Sequence, residues 1–356
     1  MVAYRAQIFA DATFPWDFTG RVTTGPTFVA GVISTGQFPT WVPYQGSGAP
    51  MLSDIGSGIY YPITWLAGLL QIPLTLDLQT DLQVMTIIAG ALGTVALLRA
   101  RSIKWPWAIL GGVAFLFFGG FAGQATHMHH FRGFALYPWL LWSVTDVRSG
   151  PSGRLLALPL VAWLLAAGAY PGQLPVFVLL AAVYVVADYL RGDVAPSRQR
   201  IVMFGLSVAA AGLIVGAVVW PFLLAESSDL LFRATLPSVE KRAGQAFWSV
   251  DFLGLYLDRW TFLPGDGSTK SWSVGIPVLI GLAGLTREHL RRLSAVVWQG
   301  IVGIGLAVLP RFEAIGEVMV SLGPVFSSRF PSADAKVAPA LALIVLAIVG
   351  WRSLLS

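Results

Sequence analysis

The sequence predicts an all-α polytopic membrane protein with eight or nine transmembrane helices and large outer-face loops, and three observations carry that prediction. Only 12% of the 356 residues are charged, about half the roughly 25% of a soluble domain. Hydrophobic residues make up 56% and the mean hydropathy is +0.71. Several apolar runs also approach or reach the roughly 17–25 residues that cross a bilayer as helix. With 38 Gly and 22 Pro, kinked or broken helices are expected, since neighbouring helices in a membrane satisfy the freed backbone groups.

Read between charges, the spans fall at Leu82–Leu98, Trp107–Ala125, Phe134–Val147, Leu155–Tyr170, Leu174–Tyr189, Ile201–Leu224, Val274–Leu285, Ala295–Leu309 and Val337–Trp351. Those starting at Phe134, Leu174 and Val274 are short for a hydrocarbon core of about 30 Å, so the count stays at eight or nine. The run Ile59–Leu76 carries Pro62 and Pro73 behind Tyr60-Tyr61 and reads as an interfacial or re-entrant helix. If the spans alternate, one side collects Arg99, Arg101, Lys104, Arg148, Arg154, Arg191, Arg198, Arg200, Arg287, Arg291, Arg292 and Arg352 against Asp146, Asp188, Asp193 and Glu288. The positive-inside rule makes that side cytoplasmic. The long polar segments 1–81, 226–273 and 310–336 then share the outer face of a single domain, 1–356. A first outer loop of that length with no helix ahead of it points to a further helix upstream of Met1.

With no Cys in the chain, disulfide and thiolate chemistry are excluded. A Gly-rich phosphate loop ending in Lys-Ser/Thr is absent, which leaves ATP-driven transport unsupported. The net charge of +5 is scattered among apolar helices, and no nucleic-acid groove follows from it.

The densest cluster of unusual residues is Pro15-Trp16-Asp17-Phe18, then Gly36-Gln37-Phe38-Pro39-Thr40-Trp41-Val42-Pro43-Tyr44-Gln45-Gly46-Ser47-Gly48-Ala49-Pro50, then Gly58-Ile59-Tyr60-Tyr61-Pro62. Further along come Gly119-Gly120-Phe121 with Gln124 and His127, Ala167-Gly168-Ala169-Tyr170-Pro171-Gly172-Gln173, Trp220-Pro221, and Ser328-Arg329-Phe330-Pro331. In order and spacing these resemble the GT-C superfamily of polyprenyl-phosphate-dependent glycosyltransferases, specifically the bacterial YfhO-like membrane proteins. The chain departs from that pattern at Gly168-Ala169-Tyr170, where relatives commonly carry His.

The resemblance implies transfer of a sugar from a polyprenyl-phosphate donor to a cell-envelope glycan or glycolipid on the outer face, with inversion through one displacement. Such a transfer needs a carboxylate as base on the acceptor hydroxyl, or as holder of a divalent metal at the leaving phosphate. The resemblance gives that role to Asp17, with Asp11 and Asp54 as companions. The plainer readings are a helix cap for Asp17 and a turn residue for Asp54. Trp41, Tyr44 and Gln45 are expected on the substrate side.

His127 and His130 share a helix face at i, i+3, so a metal is one reading of them. Another pairs either with Arg132 as donors to the lipid-linked phosphate, which guanidinium fits with two bonds. Snorkelling at a helix end is the third. Arg329 is expected at the same phosphate. In the second outer loop Trp248, Tyr256, Trp260 and Trp272 suit sugar stacking or an aromatic belt. Two alternative functions remain: a lipid-linked-sugar flippase, which needs charges deep within spans, and a non-catalytic scaffold of the same fold.

Overall fold

The structure, a computed structural model, describes residues 7, 12–14, 18–19, 23–43, 48–148, 150, 152–192, 195–227, 239–255, 270–322 and 330–355. In chain order the described helices are α1 (Thr24–Ser34), α2 (Pro62–Leu69), α3 (Leu76–Ala100), α4 (Trp105–Leu116), α5 (Gly119–Gly123), α6 (Met128–Ser143), α7 (Ser152–Gly168), α8 (Gln173–Arg191), α9 (Arg198–Ser227), α10 (Val239–Gln245), α11 (Ile276–Leu282), α12 (Arg287–Arg292), α13 (Ser294–Val308), α14 (Glu313–Ser321), α15 (Pro331–Ala335) and α16 (Val337–Leu354). The described strands are two, β1 (Trp41–Val42) and β2 (Ala49–Pro50), paired antiparallel with Trp41 opposite Pro50.

Six helical stretches are long and apolar enough to cross a membrane: Leu76–Ala100, Trp105–Gly123, Gln173–Arg191, Arg198–Leu224, Ser294–Arg311 and Pro331–Leu354. Three other expected spans are shorter. Helix α6 has 16 residues, α7 has 17 and α11 only 7, whereas the span expected to be short at Leu174 belongs to a helix of 19. Proline sits inside α6 (Pro138), α7 (Pro159) and α9 (Pro221).

The expected first loop is structured over much of its length, because α1, the β1–β2 hairpin and α2 fold together around Val29, Ile33, Met51 and Ile59. The first long helix also starts earlier than the apolar pattern indicates. Thr75 caps it by accepting from the Leu78 N–H at 3.2 Å, and Asp77 lies in its first turn, where a carboxylate complements the helix dipole.

The core centres on α16, which packs against α4, α6, α11 and α13 and buries residues around its whole circumference. Small residues make this possible: Ala338 faces Gly303, Ala342 faces Gly300, and Gly281 and Gly284 lie directly on the backbone around Gly350. A Cβ at Gly350 or Gly284 would overlap the facing carbonyl. Close approach through small residues is how helices associate where lipid removes the hydrophobic drive. Helix α9 is the opposite case, with Ile201, Leu206, Leu213 and Trp220 exposed along it, as suits a lipid-facing helix.

Contacts between helix ends define two poles. At one, Arg101 joins Asp188 at 2.5 Å and Asp146 at 3.7 Å, and Arg191 and Arg154 add to the same two carboxylates. The Arg101 guanidinium also donates to the Tyr184 hydroxyl at 3.0 Å, and Asp188 accepts from the Asp146 N–H at 3.0 Å. At the other pole, the Phe247 N–H donates to the Ala307 carbonyl and Ser332 donates to the Gln245 carbonyl.

Candidate functional site

Helix α6 starts at the second pole, and its first turns carry the polar residues His127, His129, His130 and Arg132. Helical geometry separates them into two sets, since residues three apart are neighbours and residues two apart are not. His127 and His130 face each other with ring centroids 6.0 Å apart, as their spacing indicates. His129 and Arg132 form the other set, so Arg132 does not share a face with the histidines expected to accompany it.

Arg132 is buried, with its guanidinium over the Tyr61 ring at 4.1 Å and its Nη1 without a hydrogen-bond partner among the described residues. Gly168 makes the seat: a Cβ there would lie 2.7 Å from the Tyr61 ring and 3.4 Å from Arg132 Cδ. The Gly168 carbonyl also accepts from His129 Nδ1 at 3.2 Å.

On the other set, the His130 ring stacks on Tyr170 at 4.3 Å, and Phe330 meets it edge-on at 6.1 Å. Its Nε2 lies 3.5 Å from Asp334 Oδ1. Asp334 is fully buried, and among the described residues neither of its oxygens accepts a hydrogen bond. Two further buried cations lie nearby in the fold. Lys336 places its ammonium 5.5 Å from the centre of the Phe134 ring. Burial holds the Arg242 guanidinium below its usual value, and the Asp334 carboxylate opposes that shift. Gln173 locks the frame: its amide donates to the His130 carbonyl and accepts from the Tyr170 N–H, both at 3.3 Å.

Of the residues expected from sequence, Asp11, Asp17, Tyr44, Gln45 and Arg329 lie outside the described residues. The described chain neighbours of Asp17 are informative: Phe14 and Phe18 pack with Met128 at the head of α6. Asp54 performs a cap, accepting from the Gly56 N–H at 2.9 Å, which is the turn role its sequence context allowed. Trp41 is about half exposed on the β1–β2 hairpin. Trp272 is neither a sugar platform nor a belt residue. It is fully buried against Phe247 and donates its indole N–H to the Asp251 carbonyl at 2.9 Å. Among the described residues no three His, Asp or Glu side chains are grouped to hold a metal ion.

Sequence reasoning missed Tyr61 as the partner of Arg132, and it missed His129, Asp334, Lys336 and Arg242 as members of the cluster. Asp334 and Lys336 did carry a signal, because two charges inside Ser332-Ala333-Asp334-Ala335-Lys336 at the head of an apolar helix are expensive unless they serve a site. Compared with known protein families, curated proteins and solved structures, the chain matches none of them.

Proposed function

We propose that the protein is a membrane glycosyltransferase of GT-C type that takes a sugar from a polyprenyl-phosphate donor and passes it to a cell-envelope glycan or glycolipid. The observation that carries this reading is Arg132, a buried guanidinium stacked on Tyr61 with an Nη1 that no described residue pairs with. Such a cation in apolar surroundings costs several kcal/mol unless an anion meets it, and a lipid-borne phosphate arriving along the helices supplies one. In this reading the chain crosses a bacterial cytoplasmic membrane eight or nine times, with the Arg101 pole in the cytoplasm and the α6 head on the outer side. The resemblance gives the acceptor's proton to Asp17. A flippase reading is less supported, because the buried charges gather at the two poles and the polar pair buried between α6 and α13 is the neutral Tyr137–Gln299 hydrogen bond at 2.6 Å.

Binding of polyprenyl phosphate to the full chain in lipid nanodiscs tests the reading. Arg132→Lys keeps the charge and loses the planar fork. Charge-assisted bonds are worth roughly 1.5–3 kcal/mol, so affinity should fall about ten- to hundredfold. Unchanged affinity would make Arg132 a structural anchor and remove the main support for a lipid-phosphate donor.

A further inference from the structure

We propose that the corner of the Arg101 pole formed by α12 and the last turns of α8 and α16 binds the head group of an anionic phospholipid. Three elements bring arginines there. Helix α12 carries Arg287, Arg291 and Arg292, and Arg191 at the end of α8 donates to the Arg292 carbonyl, which ties the two helix ends together. Three residues ahead of α12, Gly284 lies on Gly350 and Leu354, and α12 itself packs on α16. Arg352, in the last turn of α16, therefore joins the same corner.

The charge at this corner is poorly balanced. Glu288 is shared between Arg292 at 2.8 Å and Arg291 at 3.4 Å. Asp188, which Arg191 reaches at 3.2 Å, is already held at 2.5 Å by Arg101. Arg287 and Arg352 are exposed, and their side chains make no hydrogen bond or ion pair among the described residues. Arg287 and Arg291 stand at i, i+4 on one helix face, where like charges repel unless an anion lies between them. Other arginines of this pole are tied to the chain itself. Arg148 donates to the Gly192 carbonyl and lies over the Tyr189 ring, Arg154 reaches Asp146 at 3.8 Å, and Arg200 donates to the Val147 carbonyl at 2.9 Å. The guanidiniums of α12 are instead turned outward, with the side chains of Arg291 and Arg292 81% and 72% exposed.

The surroundings favour a lipid over a dissolved anion. Leu290, Leu354 and Leu355 are exposed on the same two elements. Trp351, next to Arg352, donates its indole N–H to the Pro277 carbonyl at 2.8 Å, and such amphipathic rings sit at head-group level. Exposed leucine beside arginine suits a ligand with acyl chains beneath its phosphate, and a guanidinium offers that phosphate two parallel N–H bonds. A lipid seated here bridges α12 and α16 next to the close contact of Gly284 with Gly350.

The full chain in detergent micelles doped with phosphatidylglycerol or phosphatidylcholine tests the site, with native mass spectrometry counting retained lipid and thermal unfolding reading its effect. The wild type should retain phosphatidylglycerol in preference to phosphatidylcholine and unfold at a higher temperature as phosphatidylglycerol is added, since a ligand of the folded state stabilises it. Arg287→Gln together with Arg291→Gln should weaken phosphatidylglycerol binding about thirtyfold, or about fivefold for each charge near an anionic head group. Lys104→Gln with Arg198→Gln removes the same charge from exposed positions elsewhere on this pole and should leave binding nearly unchanged. Without lipid, both double variants should unfold at the wild-type temperature. Equal retention of the two lipids by the wild type overturns the proposal. So does an equal loss in both double variants, which makes the attraction a property of the whole pole. If inorganic phosphate at the same concentration raises the unfolding temperature as much as the lipid does, the site takes a free anion and the lipid assignment falls.

Discussion

The two poles of the bundle both bury charge, and they treat it differently. At the first pole Asp188 meets Arg101, Arg191 and the Asp146 N–H, and Tyr184 bridges between Arg101 and Thr145. At the second pole Asp334 faces the edge of His130 and acts on the buried Arg242 through its charge, with no hydrogen bond to its oxygens among the described residues, and Arg132 rests on a ring with a donor left over. Stability calls for the first arrangement, since a buried ion is tolerable once it is paired. Arg101 still keeps an Nη2 without a partner among the described residues, so the poles differ in their carboxylates: Asp188 accepts on both oxygens, and Asp334 on neither.

Substitutions at matched carboxylates give the strongest test of that contrast. Asp188→Ala strands the buried Arg101 and should cost about 3–5 kcal/mol, measured as unfolding in detergent. Asp334→Asn breaks no hydrogen bond among the described residues and removes the charge that faces His130 and Arg242, so it should cost less, about 1–2 kcal/mol. The reverse order of stabilities would break the contrast outright. A smaller effect is expected at Gly168→Ala, where the added methyl meets Tyr61. Overpacking costs about 1–3 kcal/mol, and polyprenyl-phosphate affinity should drop with it because Arg132 loses its seat. Tyr61→Leu removes the ring beneath Arg132 and should cost about 0.5–2 kcal/mol of stability, again readable by detergent unfolding. Asp54→Ala is the mildest, at about 0.5–1 kcal/mol for a lost cap with turnover unchanged. A large turnover loss there would move Asp54 from the fold into the chemistry.

Apolar run length made the long helices legible, and it failed where polarity and burial part company. Asp77, Gln79, Thr80 and Asp81 look like loop, yet they form the first turns of α3. Gln79 donates to Thr27 Oγ1 at 2.9 Å and to the Leu74 carbonyl at 3.0 Å, and Gln83 donates to the Ala125 carbonyl at 3.2 Å. Their amides are buried because they stitch the first segment to the bundle, and no local pattern announces partners so distant in sequence. The spacing of His127 and His130 did predict their pairing, because i, i+3 is a property of any helix. The partnership of His130 with Asp334 joins α6 to α15, and only tertiary structure brings those together. Arg132 reads from sequence as a phosphate ligand, and the fold buries it over the Tyr61 ring. Its partner Tyr61 belongs to the segment ahead of α2, which composition alone placed at the membrane surface.

The glycine seam between α11 and α16 has a consequence for how the chain is made. Seven residues of helix rise about 10 Å, a third of the roughly 30 Å hydrocarbon core, so α11 cannot hold a place in the membrane by its own length. Its seat is the backbone around Gly350, which leaves the ribosome only after α12, α13, α14 and α15. Between those two moments a segment with exposed glycine backbone waits at the insertion machinery for its partner. Assembly of this bundle is consequently ordered from its end, and a side chain added at Gly350 would be felt first as failed insertion of a helix made much earlier.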